Sequence, residues 1–241
     1  MKKLTLIFCL VLAGCSEAPT TSQAPVKKEI KDAAIVWYDG TIESAFDLAA
    51  AEEKPIFLYW GAVWCPPCQE IKSTVFKSQE FINLTRLFVP VYLDGDTERA
   101  QSWGDKFGVM GYPTMIVFNP EGEELTRLPG NIDISQYNTV LDLSLNQMKP
   151  ISGIVQTAIN DATTLTDADF RQLAYYSWFQ DVSALPEDAD RQALFASLAE
   201  HSPEGELSTR FFMLYLLAKL DVEGSVLTTS ETDQLQSILS F

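Results

Sequence analysis

Apolar residues along this chain fall into two regimes. Up to about position 130 they come in short, nearly unbroken runs: 36–38 (Val-Trp-Tyr), 56–60 (Ile-Phe-Leu-Tyr-Trp), 91–93 (Val-Tyr-Leu) and 115–118 (Met-Ile-Val-Phe). Short apolar runs bounded by turn signals read as buried strands, and the first three are candidates for a parallel arrangement. Pro90 lacks a backbone donor and therefore belongs at a strand start. Residues 115–119 and 125–128 flank Pro120-Glu121-Gly122-Glu123, a hairpin signal. Between the runs, residues 69 to about 81 and 134–147 carry apolar positions at helical spacing, and the second closes this part of the chain.

Beyond Pro150 the pattern is helical. Residues 167–179, 187–201 and 208–220 have helical apolar spacing, 231–241 offers a fourth segment, and Thr166, Pro186 and Ser208 mark helix starts. Tyr175, Tyr176, Trp178 and Phe179, with Phe211, Phe212 and Tyr215, read as an aromatic core layer of these helices. The only histidine, His201, stands at a helix end before Pro203 and reads as a C-terminal cap rather than a base.

Candidate chemistry lies at Trp64-Cys65-Pro66-Pro67-Cys68, directly after the run 56–60. Two cysteines two residues apart can close a small disulfide ring. Placed between a strand and a helix, Cys65 falls at the helix N-terminus, where unpaired N–H groups and the macrodipole favour a thiolate. Such a site lowers a thiol's pKa and makes the attacking species of disulfide exchange available near neutral pH. The same spacing supplies half of many zinc sites, but a structural zinc needs two further ligands. Cys9 and Cys15 lie in an N-terminal targeting segment and His201 is remote, so no metal is expected. A structural disulfide is the other reading, against which stand the flanking Trp64 and the two prolines.

A second element, Gly111-Tyr112-Pro113-Thr114, precedes the run beginning at Met115. The order strand, WCxxC, helix, strand, helix, then Pro-Thr before a strand resembles the thioredoxin superfamily, over about residues 34–148. It is similar in particular to periplasmic thiol:disulfide interchange domains, which approach their site through a segment like 36–38, a helix like 44–53 and Lys54-Pro55. The resemblance implies an α/β thioredoxin fold, a central mixed sheet flanked by helices, here with an all-α C-terminal extension. It implies that Cys65 and Cys68 are the redox pair and that Pro113 is cis, shaping a substrate groove with Tyr112 and Thr114. It implies too that Trp64 covers the sulfurs, with Pro66 and Pro67 supporting the site. No cofactor beyond the disulfide is expected. One departure stands out: the buried carboxylate that many thioredoxins carry six residues before the first cysteine is Tyr59 here, with no lysine on the next strand. Glu70 reads as a solvated charge. Asp94, Asp96 and Glu98 read as an acidic helix start rather than a calcium loop.

The N-terminus sets the expected compartment. Lys2-Lys3 followed by a short apolar stretch, residues 4–12, is too short to span a bilayer stably and reads as a signal. It ends in Leu12-Ala13-Gly14-Cys15, which resembles the lipobox of bacterial lipoproteins and implies acylation of Cys15; Ser16 favours the outer membrane. Residues 15–33 then form a lipidated cysteine and a Pro-, Ser- and Thr-containing tether reaching on the order of 25 Å. The expected organisation is 1–14 signal peptide, 15–33 tether, 34–149 thioredoxin-like domain and 150–241 helical domain.

Composition is that of a globular chain, 46% hydrophobic over 241 residues. A net charge of −16 argues against nucleic acid and against a polybasic membrane contact, leaving the lipid as tether. The expected function is thiol:disulfide oxidoreduction on protein thiols and disulfides of the cell envelope, facing the periplasm and fed by a membrane thiol donor. The reading from another class is a non-catalytic thioredoxin-fold lipoprotein that binds an envelope partner through its helical region.

Overall fold

The computed structural model describes residues 34–130, 134–181 and 184–240, which belong to one compact unit. The expected signal (1–14), Cys15 and the expected tether lie outside the described residues. A four-stranded mixed sheet forms the centre: β1 (Ile56–Gly61), β2 (Val89–Asp94), β3 (Thr114–Phe118) and β4 (Glu124–Pro129), in the order β2-β1-β3-β4. β1 runs parallel to β2, with Ile56 opposite Val89, and antiparallel to β3, which pairs antiparallel with β4 across the expected hairpin.

Every residue of β1 is buried, because both faces are covered. Ile56, Leu58 and Trp60 pack with α1 (Ile42–Glu52) and with Ala100 of α4 (Glu98–Lys106); Phe57 and Tyr59 face Ile71, Val75, Phe81 and Tyr137 on the opposite side. A strand covered twice needs no polar alternation, which is why 56–60 reads as a continuous apolar run.

Two expectations before the sheet's second half are corrected. Residues 36–38 are not a strand: only the Tyr38 N–H reaches β2, donating to the Pro90 carbonyl at 2.7 Å. Pro90 has no N–H to return, so a ladder cannot propagate there. The segment 69–81 is not one helix but α2 (Pro66–Ser73), a 3-10 turn (Val75–Lys77) and α3 (Gln79–Thr85). Ser73 and Thr74 both turn their hydroxyls back onto the Glu70 carbonyl, a side-chain competition that ends helices, and Ser78 caps the next start.

After β4 come α5 (Ile134–Gln147) and the extension: α6 (Ile151–Asp161), α7 (Asp167–Tyr175), α8 (Arg191–His201), α9 (Glu206–Leu220) and α10 (Thr229–Leu239). Thr166 caps α7 in a capping box closed by Asp169. α6 was not anticipated, although Ile151, Ile154, Val155 and Ala158 are spaced for one buried stripe. α7 stops at Tyr175 rather than 179, and the chain turns back through residues 176–181. α8 begins at Arg191, capped by Asp190, rather than at 187. Tyr175, Tyr176, Trp178, Phe211 and Phe212 are buried as expected, but Phe179 is 55% exposed because it sits on that turn. One apolar cluster runs from the Phe57 face of the sheet through α5–α9. No described helix is long and apolar enough to cross a membrane.

Candidate active site

Pro66 and Pro67 open α2, positions where a missing N–H costs nothing, and this places Cys65 at the N-cap. Cys65 and Cys68 are joined by a disulfide with their Cα atoms 5.3 Å apart. The Cys68 N–H donates to Cys65 Sγ at 3.3 Å; because N1 and N2 are prolines, it is the first amide of the helix to point at that sulfur. In this oxidised state Cys65 is 3% exposed and Cys68 fully buried, so the difference in accessibility between the two is small.

The sulfurs are covered by one aromatic side chain, Tyr112, held from the β2–α4 loop. Tyr112 packs against Ala62, Cys65 and Cys68, and its hydroxyl donates to the Gly95 carbonyl at 3.2 Å. Burial, with Asp96, Asp94 and Asp105 nearby, raises the Tyr112 phenol above its ordinary value. Trp64, largely exposed, meets Tyr112 edge-on at 6.1 Å and donates its indole N–H to Asp96 at 2.8 Å. A Cβ on Gly95 would overlap the Tyr112 ring, so this close approach requires glycine.

The Tyr112–Pro113 bond is cis. Gly130, just past β4, lies so close that a Cβ would strike the Pro113 ring. Thr114 is buried: its hydroxyl donates to the Gly111 carbonyl at 2.7 Å and lies 3.3 Å from Gln180 Oε1. It therefore braces the loop from beneath. Trp64, Cys65, Cys68, Tyr112, Pro113 and Thr114 are thus assembled at one end of the sheet, while His201 is spent within α8, its Nδ1 2.8 Å from the Ser197 carbonyl. Among the described residues no three His, Cys, Asp or Glu side chains converge to hold a metal ion.

Tyr59 lies beneath this end. Its hydroxyl is buried with no hydrogen-bond partner among the described residues, and a Cβ on Gly61 would collide with it. Burial, with a contribution from Tyr92, pushes the phenol far up. A lysine does stand near, but it comes from α2 rather than the next strand: Lys72 Nζ donates to the Tyr92 hydroxyl at 3.1 Å and sits 4.8 Å over its ring. Lys72, Tyr59, Tyr92, Trp37 and Ile35 line a cavity of about 190 Å³.

Sequence reasoning missed three residues. Asp96 pins Trp64; Gln69 ties its amide to the Val63 carbonyl at 2.8 Å; Gln180 reaches Thr114 from the extension. The acidic loop 94–98 holds the only local hint of Asp96, and its pattern alone points no further than a helix start. Nothing local signals Gln180.

Residues 42–144 match the thioredoxin-like domain family. The thiol:disulfide interchange protein DsbD of Yersinia pestis is 34% identical over 95 residues, 37% of this chain and 16% of that protein. Thioredoxin Y1 of Arabidopsis thaliana is 29% identical over 110 residues, 46% of this chain and 60% of that protein. A Thermus thermophilus thioredoxin structure is 26% identical, with a TM-score of 0.43, covering 47% of this chain and 88% of its own. The chain thus spans only about a sixth of the length of the interchange proteins it matches.

Proposed function

Because residues 42–144 are a thioredoxin-like domain carrying a Cys65–Cys68 pair, we propose that this protein is a membrane-tethered thiol:disulfide oxidoreductase of the bacterial envelope that reduces or isomerises protein disulfides. The observation that carries the reading is Cys65 Sγ at the N-cap of α2, accepting from the Cys68 amide. Helix N-terminal N–H groups and the dipole stabilise the thiolate there. In the reduced protein, Cys65 thiolate attacks one substrate sulfur and expels the other as thiolate. Cys68 then attacks Cys65, releasing the second substrate thiol and restoring the Cys65–Cys68 disulfide, so two electrons pass to the substrate. In isomerisation a different substrate thiolate attacks the mixed disulfide instead, forming a new substrate disulfide and releasing the Cys65 thiolate. A thiol donor in the membrane re-reduces the pair, and the disulfide is the only redox group the cycle needs.

Substrate access is set by the loop before β3. The amides of residues 110–112 pair with no backbone carbonyl among the described residues, beside the Cys65–Cys68 roof. An extended substrate segment fits along that backbone, with Pro113 shaping the groove and Trp64 at its rim. The tether reading is supported by Leu12-Ala13-Gly14-Cys15 and implies a domain facing the periplasm.

Trapping tests the chemistry. Cys68→Ser is expected to accumulate mixed disulfides through Cys65 in an envelope extract, while Cys65→Ser is not; the absence of adducts from Cys68→Ser overturns the catalytic reading. Cys15→Ala is expected to release the protein from the detergent phase, and wild-type protein that stays in the aqueous phase refutes the tether.

A further inference from the structure

We infer that the helical extension completes the substrate groove, the Gln180 amide donating a hydrogen bond to the backbone of the extended segment that carries the target disulfide. This rests on the oxidoreductase reading above and adds to it a selectivity for polypeptide over small disulfides.

The turn 176–181 is fixed where it meets the sheet. The Ser177 N–H donates to the Arg127 carbonyl of β4 at 2.9 Å, and the Tyr176 hydroxyl, itself buried, contacts Glu124 at 2.9 Å and Asp181 at 2.5 Å. This seats Gln180 against Thr114, the residue that follows cis Pro113. A contiguous chain of contacts then leads from the sulfurs through Tyr112 and Pro113 to the Gln180 side chain.

The orientation of that side chain is also set. Gln180 Oε1 accepts from the Ser177 hydroxyl at 3.0 Å and faces the Thr114 hydroxyl at 3.3 Å, so its acceptor end is held on the protein. Its Nε2 has no acceptor among the described residues, and the residue is half-buried. What Gln180 leaves unused is therefore a pair of N–H donors, whose complement is a carbonyl oxygen. A polypeptide presents carbonyls whatever its sequence. A small organic disulfide lacking an amide presents none. The donor is held in place before binding, so little conformational freedom is lost when it is used.

On the Cys65 side Trp64 is 64% exposed and lies edge-on to Tyr112, and Met110, two residues before Tyr112, is 69% exposed. The proposed groove thus has apolar side chains before Pro113 and a polar donor at Gln180. That suits an extended segment with an apolar residue next to its cysteine.

The test uses pre-reduced full-length protein in single-turnover reactions with two probes: a neutral synthetic peptide closed by one disulfide, and hydroxyethyl disulfide, which has no carbonyl. Gln180→Glu keeps an oxygen for Ser177 and Thr114 but removes the N–H donors, and Gln180→Ala removes both. Both variants are expected to raise the half-saturating peptide concentration about two- to tenfold, the range for one net hydrogen bond. Rates with hydroxyethyl disulfide are expected to stay at the wild-type value. Gln180→Glu that binds the peptide as wild type does, or variants that slow both probes alike, overturn the inference. Wild-type protein that reduces neither probe overturns the oxidoreductase reading and this one with it.

Discussion

Replacing Pro67 by alanine adds one hydrogen-bond donor at the place where it matters most for the redox couple. Cys65 occupies the N-cap of α2, and an N-cap acceptor takes its bond from the N2 or N3 amide. N3 is Cys68, whose N–H already lies 3.3 Å from Cys65 Sγ; N2 is Pro67, which has no N–H to give. Alanine is the best helix former and Pro67 is exposed, so the helix start is kept while the second donor appears. A hydrogen bond to a charged group is worth about 1.5–3 kcal/mol, and about 1.4 kcal/mol corresponds to about 30 mV for this two-electron couple. Stabilising the Cys65 thiolate stabilises the reduced form, so Pro67→Ala is expected to move the potential about 30–60 mV positive. Hydration of the reduced site favours the lower half of that range. Equilibration in glutathione buffers measures it, starting from a wild-type couple expected at about −270 to −200 mV. Pro66→Ala is the control, because an N1 amide does not reach the N-cap sulfur. An unchanged or more negative potential for Pro67→Ala, or an equal shift for Pro66→Ala, refutes the capping argument. A wild-type couple above about −150 mV refutes the reductase or isomerase poise itself.

Two further changes probe the joint between the sheet and the extension. Burial alone raises the Asp169 carboxyl, but bonds from Lys149, at 2.8 Å, and Thr166 outweigh it and hold the group below its ordinary value. A depressed carboxylate stabilises the fold above its unfolded pKa, near pH 4, and this contribution is lost as pH falls through the folded value. Asp169→Asn is therefore expected to cost about 1–3 kcal/mol at neutral pH, with the gap to wild type closing below about pH 4 in urea titrations; a gap independent of pH is the refuting result. Arg127, 2% exposed, is bound to Glu124 at 2.9 Å and to the carbonyls of Phe107 and Gly108. Arg127→Met leaves the half-buried Glu124 charge without its cation and the Phe107 and Gly108 carbonyls without their donor, and is expected to cost about 2–4 kcal/mol by denaturant unfolding. A cost under about 1 kcal/mol, typical of an exposed pair, contradicts this account.

What was legible in the chain was what depends on local pattern or on a motif. The run 56–60 announced a buried strand, and its position before a helical segment placed Cys65 at a helix start, although α2 begins at Pro66 rather than at Gln69. Pro113 was read as cis from the resemblance, and it is cis. What failed depended on a partner distant in sequence. Residues 36–38 look like a strand until their neighbour proves to be Pro90, which can accept from Tyr38 but cannot donate back. The break within 69–81 came from hydroxyls at Ser73 and Thr74 turning onto the Glu70 carbonyl, a competition that apolar spacing does not register. Asp96 and Gln180 meet their partners across 32 and 66 residues, and such contacts leave no local trace.

The position of the extension explains why the site opens where it does. An exposed sheet edge is a template for any other strand, and both edges here are engaged. On β4, the Leu125 carbonyl accepts from the Gln172 amide at 2.5 Å and the Arg127 carbonyl from the Ser177 N–H at 2.9 Å. On β2, the Pro90 carbonyl accepts from Tyr38. On the proposed function, a substrate segment drawn by backbone hydrogen bonding is expected to find these edges engaged and to meet the amides of residues 110–112, which pair with no backbone carbonyl among the described residues. The residues that close the β4 edge, Gln172 and Ser177, belong to the same stretch of chain that carries Gln180 to Thr114. Closing the edge and seating Gln180 against Thr114, as the proposed groove requires, are thus two consequences of one packing event, the docking of α7 and its turn onto β4.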